Sequence, residues 1–564
     1  MHLLLSLFLI LISFPVLSHQ NTLTSDQKEV RWSSNTVPIK IINNSTTSIF
    51  SNSLILDSIA EWNSYSSFLI QPVSSSNNQI SFSNDFSIYG SAVVGVTEVS
   101  YGTNGLINNA KIILNEQNYN FTISPTVPIG SNSIYLKDVV THELGHFVGL
   151  THSEVLNSSM FYSSFPGQSS LASDDKAGIR NKYDTGFGKI FGYVKGGNHI
   201  GVLGTHVQAI SRKTGEAIGG ISDESGYFEI GGLDLNDTYY LYTSPLKNLN
   251  ALPGFLASAQ TEFCPAAYVG SFFSDCGRDN DGLPTAINLS FLNTEVDVGE
   301  VSINCTMRSQ EDYNYQKIQT NFTELPIFNY ADELRWEKSY VGFFRKSQLS
   351  TSTWTASDDF SIDLTGIASP TTKRIKIRLV SQVLGNAIKY EMIVNKGTSP
   401  ISGSPFKVST NPENTLKLDL LASNTLSASG NVYHLKIKAK KLDTSDAAYS
   451  IPDVLRFGSD QNLPYLIVVS LEDLSSGQLF DSGSNLSDNA SCLDAPFTYA
   501  VQNSKASTIE DAQGVANAAP ATCGTIDPPS GPGGPGNFMM LMSFGFLLSL
   551  FISRFSKRGK NFLS

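Results

Sequence analysis

The sequence predicts an α+β domain at the front of the chain, followed by all-β sandwich domains. Three observations predict it. Leu136, Val139, Val140, Leu144 and Phe147 recur at three- and four-residue spacing, which marks an amphipathic helix. From about Gly186 the pattern changes to short β-type runs separated by Gly, Asn, Asp and Ser clusters, at sandwich spacing. The length of 564 residues is enough for roughly three or four domains.

The helix carries the chemistry. His142-Glu143-Leu144-Gly145-His146-Phe147-Val148-Gly149-Leu150-Thr151-His152 reads HExxHxxGxxH. On a helix, His142 and His146 lie one turn apart on the same face, where two imidazoles can share one metal. Glu143 projects beside them, within reach of a metal-bound water. Gly149 can take backbone angles closed to other residues, so it stops the helix and lets His152 return as a third ligand. Three nitrogens leave one tetrahedral position open, as a catalytic zinc site requires. With only 8 His in the chain, a chance match to all five fixed positions falls far below about one in ten thousand.

The extended motif resembles the metzincin clan, and HELGHFVGLTHS is most similar to its matrixin branch. Met160, in Ser158-Ser159-Met160-Phe161-Tyr162, stands at the short spacing of a matrixin Met-turn, whose methionine forms an apolar floor beneath the zinc. Leu171 to Ile179 resembles the start of that family's last catalytic helix. Arg31-Trp32, Leu54 to Trp62 and Ala110 to Asn115 resemble its first strand, first helix and edge strand. The resemblance covers residues 30–184 and implies a metzincin-like fold, a twisted mixed sheet plus a zinc-binding helix. It implies one catalytic Zn2+ held by His142, His146 and His152. Three departures stand out. No cysteine precedes Cys264, so the thiol switch of many matrixins lacks its residue. No histidine lies between His19 and His142 to bind a second, structural zinc. Tyr162 follows Met160 by two residues, as in the astacin and serralysin branches, which implies a catalytic hydroxyl or a packing role.

The two ends address the chain. Residues 1–18 read as a signal peptide, with an apolar run from Leu3 to Phe14 and a small-residue cleavage site at Val16-Leu17-Ser18. Phe538 to Ser553 is apolar and uncharged, about 24 Å long as a helix, and Arg554, Lys557, Arg558 and Lys560 follow it. With the Pro528–Gly536 spacer this resembles bacterial C-terminal sorting signals of the glycine-glycine type. A eukaryotic glycolipid signal and a retained single-pass anchor are the other readings. The expected localisation is the cell surface or the medium.

The net charge of -12, with 16% charged residues, offers no basic face and argues against nucleic acid. Export makes disulfides expected among Cys264, Cys276, Cys305, Cys492 and Cys523, and an odd number leaves one thiol over. The expected domains are 19–185 (protease-like), 186–310 (resembling carboxypeptidase-regulatory sandwiches) and 311–491 (a second sandwich). A linker over 492–536, the apolar segment 537–555 and a basic tail 556–564 complete the chain. In the second domain His199 and His206 read as ordinary sandwich residues. Asp279-Asn280-Asp281-Gly282 reads as an exposed turn that leaves Ca2+ possible. Phe360–Leu364, Arg374–Leu379, Tyr433–Lys438 and Tyr465–Val469 read as strands of the third.

The expectation is an exported zinc endopeptidase acting on proteins or peptides. Glu143 would be the general base toward a zinc-activated water, and Tyr162 a candidate oxyanion contact. Substrate is expected to pair along an edge strand near Ala110 to Leu114, and the loop from Phe161 to Leu171 to wall the specificity pocket. Asp174 and Asp175 suit the dipole at the last helix's start. The alternative is a surface adhesin whose β domains carry the function.

Overall fold

Asn52–Asn63 forms helix α1 because Ile55, Ser58, Ile59 and Trp62 fall on one face and are buried there. Leu136–Phe147 forms α2, in which every residue but Lys137 is buried, so a helix with polar histidines is nonetheless wrapped on all sides. The two are stitched together by Trp62, whose indole N–H donates to the Thr141 carbonyl at 2.8 Å. Ser173–Tyr183 forms α3.

These helices pack on a sheet of strands β1 (Thr36–Ile41), β2 (Leu69–Val73), β3 (Gln79–Ser83), β4 (Val93–Tyr101) and β5 (Ile107–Asn115). Their order is β2-β1-β3-β5-β4, all parallel except β4, which runs antiparallel to β5. The strand Thr522–Ile526 lies outside β4 and parallel to it. Two sequence expectations are corrected here. Ala110–Asn115 lies in β5, an interior strand between β3 and β4, so β4 lies outside it, with Thr522–Ile526 beyond β4. Alternating burial in β5 reads the same in an interior or an outer strand, since the pleat reports faces and not neighbours. Arg31 makes a single bridge to Leu106, ahead of β1. Trp32 caps α2, its indole donating to the Phe147 carbonyl at 2.8 Å.

The computed structural model describes residues 21–473, apart from short breaks and the stretches 246–270, 274–283, 304–322, 325–336, 408–415, 420–429 and 447–461, and then Thr522–Ile526. The signal segment, the linker's larger part, the apolar run Phe538–Ser553, and Asp279 to Gly282 lie outside the described residues, as do Cys264, Cys276, Cys305 and Cys492. Among the described residues no helix is long and apolar enough to cross a membrane.

Among the described residues after α3 the regular structure is β, apart from the short 3-10 turns Lys346–Gln348 and Pro370–Thr372. Beyond two short strands, β6 (Asn120–Thr122) and β7 (Ser133–Tyr135), come β8 (Gly188–Lys195), β9 (Thr205–Ser211), β10 (Ala217–Ile221), β11 (Tyr227–Leu233) and β12 (Asp237–Pro245). One sheet joins β11, β8 and Glu295–Ser302; the other runs β10-β9-β12, with Ser271–Phe272 and Ile287–Leu289 on β12. In β12, Tyr239 and Leu241 point into the core between the sheets, while Tyr240 and Tyr242 point the other way. The other way is equally apolar. Tyr240, Tyr242, Ile210, Ala217 and Phe272 share one cluster with Val155, Leu156, Phe161, Tyr162 and Phe165 of the N-terminal domain. Ile375, Ile377, Tyr433 and Leu435 of the last two sheets belong to the same cluster. The β10-β9-β12 sheet is thus covered on both faces.

A core shared between domains predicts shared unfolding. Ile210→Ala, at a fully buried position of the common cluster, is expected to cost about 2–5 kcal/mol. Chemical denaturation followed by the fluorescence of Trp32 and Trp62 should show the N-terminal domain losing that same stability.

Candidate metal centre

Helix α2 ends at Phe147, and Gly149 takes φ +92°, which turns the chain back toward the helix. The Leu150 carbonyl then accepts from His146 Nδ1 at 2.9 Å. Two residues on, His152 enters the cluster, its ring centroid 4.9 Å from that of His146 and 5.4 Å from that of His142. His142 Nδ1 donates to the Ser159 carbonyl at 2.6 Å. Both Nδ1 atoms carry their proton outward, so both Nε2 lone pairs face inward, 3.1 Å apart.

Two lone pairs at that distance repel unless a cation lies between them. The imidazoles cannot supply one themselves, because burial pushes His142 down to about 4 and His146 well below its ordinary value. They are neutral at neutral pH, the form that can bind a metal. One ligand atom from each of His142, His146 and His152 lies within 4.8 Å of the others. Two nitrogens bound tetrahedrally at about 2.0–2.1 Å from zinc would stand about 3.3 Å apart, so the donor set fits that ion. Among the described residues no other trio of His, Cys, Asp or Glu converges in this way.

Glu143 is fully buried and faces β4. The Thr97 hydroxyl donates to its Oε2 at 2.6 Å and, at 3.1 Å, to its backbone carbonyl. Gly95 makes room for the carboxylate: a Cβ there would stand 2.6 Å from Oε1. Met160 packs its sulfur on α2 at Gly145, where any side chain would collide with it. The expected Met-turn residue is therefore a floor for the helix that bears the histidines.

That floor is held by Asp175. Its carboxylate accepts from the Ser158 hydroxyl, the Ser159 amide (2.8 Å), the Met160 amide (3.1 Å) and the Ala172 amide (2.8 Å). Asp174 accepts from the Ser153 hydroxyl at 2.6 Å and from the Gly219 amide of β10 at 2.7 Å. Burial pushes both carboxyls up to about 6 against these donors. Tyr162 is buried, its ring 4.2 Å from that of Phe161, inside the cluster shared with the sandwich. The loop after it is braced by Gln168, which accepts from the Phe165 amide at 2.9 Å and donates to the Ser163 carbonyl at 3.2 Å.

The histidine triad and the glycine turn decide the comparison. Residues 10–184 match the matrixin family. The match covers the front of the chain alone and carries the metallopeptidase reading with it. No curated protein matches the chain. Among solved structures, BcpA, the major pilin subunit of Bacillus cereus, is similar at 10% identity over 53% of this chain, with a TM-score of 0.11. This chain spans 61% of that pilin's length. A DUF3823 family protein from Parabacteroides merdae is 12% identical, over 45% of this chain and 98% of that one, with a TM-score of 0.12. The Bacillus anthracis TIE protein is 10% identical, over 47% and 46%, with a TM-score of 0.13. At such scores no shared architecture follows.

Within the matched region the structure brings the three histidines together, seats Glu143 against β4 and packs Met160 on α2 at Gly145. It adds Gly95, Thr97 and Asp175. Asp175 was legible as a helix-start acid, while its grip on the turn sixteen residues earlier depends on tertiary closure. Gly95 and Thr97 sit in an ordinary apolar strand, and nothing in their pattern marks them.

Two outcomes follow from this geometry. Asp175→Ala should leave four donors seeking new partners and loosen the Ser159 carbonyl that orients His142. Zinc affinity, measured by chelator competition, is expected to fall about 10–100-fold. Asp138, in the first turn of α2, accepts from the Gly167 amide at 3.3 Å, and burial pushes its carboxyl from 3.8 up to about 7. The folded state therefore holds this proton more tightly than the unfolded chain. The associated stability is full below about pH 4 and is lost as pH rises through about 7. Asp138→Asn should flatten that decline by about 2–4 kcal/mol in unfolding titrations across the window.

Proposed function

We propose that this chain is an exported zinc endopeptidase that hydrolyses peptide bonds of proteins outside the cell. The observation that carries the reading is the convergence of one ligand atom each from buried His142, His146 and His152 on the helix that also bears Glu143. The histidines would hold the ion. When bound, zinc supplies Lewis acidity and lowers the pKa of a water to about 7.

The chain's own residues supply the rest. The Glu143 carboxylate, held at Oε2 by Thr97 and seated over Gly95, would take up the water's proton. From there the proton passes to the leaving amine. A peptide substrate in this reading runs along β4, on the side away from β5, pairing through its backbone. Tyr162 enters through its hydroxyl alone. Tyr162→Phe keeps the ring in its cluster, so a lowered kcat at unchanged stability would assign the oxyanion contact. Signal-directed export and a sorting or anchoring role for Phe538 to Ser553 belong to the same proposal, supported by the sequence at both ends.

Casein or a generic fluorogenic peptide tests the reading with the chain from residue 19 onward. Glu143→Ala is expected to lower kcat at least about 100-fold while one zinc per chain is retained. Gly95→Ala should lower kcat through a displaced carboxylate, with little change in zinc content. Undiminished hydrolysis by Glu143→Ala would exclude the mechanism.

A further inference from the structure

The strand Thr522–Ile526 pairs with the outer side of β4. The ladder places Thr522 beside Val93, Gly524 beside Val96, Thr525 beside Thr97 and Ile526 beside Glu98. A break between Thr522 and Gly524 leaves Cys523 level with Val94 and Gly95. This stretch of β4 is the one that meets Glu143, through Gly95 and Thr97. The segment therefore runs about one strand spacing, 4.8 Å, from the backbone that seats the carboxylate.

An unpaired strand edge offers a row of backbone donors and acceptors to any extended peptide. It offers them once. We propose that Thr522–Ile526 is a built-in occupant of the β4 edge and competes there with any peptide presented to the histidine site. The proposal rests on the peptidase reading for its consequence, but the occupancy stands on the ladder itself. The segment runs parallel to β4, so a peptide arriving antiparallel cannot use the same hydrogen bonds while it is in place. Because occupant and edge belong to one chain, the competition is intramolecular and its strength is set by effective concentration. A five-residue ladder is short enough to exchange.

The test uses the chain from residue 19 onward carrying Glu143→Ala, so that binding is read without chemistry. It is compared with the same chain carrying Gly524→Pro and Thr525→Pro, which remove two amide donors of the strand. Hydrogen exchange should show Val93 to Glu98 protected in the first and faster in the second, with the rest unchanged. A fluorescent, unstructured peptide should bind the second about 10-fold more tightly, and a chain ending at residue 521 should behave like it. A synthetic peptide spanning residues 519–529 should displace the probe. Equal exchange at β4, or equal probe affinity in all three chains, overturns the proposal. The peptidase reading fails separately: the proline variant with Glu143 restored would bind the probe and leave it uncut.

Discussion

The Asp175 carboxylate is the constraint on which the histidine cluster depends. It gathers four donors from two segments, closing the turn Ser158-Ser159-Met160 against the start of α3. The amide of Ser159 is held by Asp175, and its carbonyl in turn fixes His142. The amide of Met160 is held too, and its sulfur supports α2 at Gly145. One buried anion thus sets both the tautomer of His142 and the height of the helix that carries it. In a low-dielectric interior such a group is stabilising only while every donor stays in place, which makes the arrangement all-or-none.

Its neighbour faces the other way. Asp174 takes the Ser153 hydroxyl from the histidine loop and the Gly219 amide from β10. Ser173 adds a bond to Glu216 of the turn before β10. Adjacent acids at one helix start therefore divide the work, one inward to the metal centre and one outward to the sandwich. The sandwich is fastened to the same short segment that organises the ligands. Its attachment is more than a tether.

What was legible in the sequence follows from the range of the interactions. HExxHxxGxxH can be read because helical periodicity and a glycine turn place its residues within eleven positions of one another. The α1 face, with Ile55, Ile59 and Trp62, is legible for the same reason. Strand order is not local. Ile112 and Leu114 alternate as in any half-buried strand, and only the pairing of β4 outside β5 shows which is peripheral. No cysteine precedes α2 to supply a thiol switch. The segment that covers β4 comes instead from beyond the sandwiches, a pairing no periodicity announces.

The cluster joining Phe161, Tyr162 and Phe165 to Tyr240 and Tyr242 has a consequence for recognition. The loop expected to wall the specificity pocket packs its aromatic side chains against the β10-β9-β12 sheet. A surface supported in this way has little conformational freedom left to lose when a side chain arrives. Discrimination would then come from fixed shape rather than from adjustment. Drift in the sandwich's tyrosines, far from any bond being cut, would be the route by which preference changes.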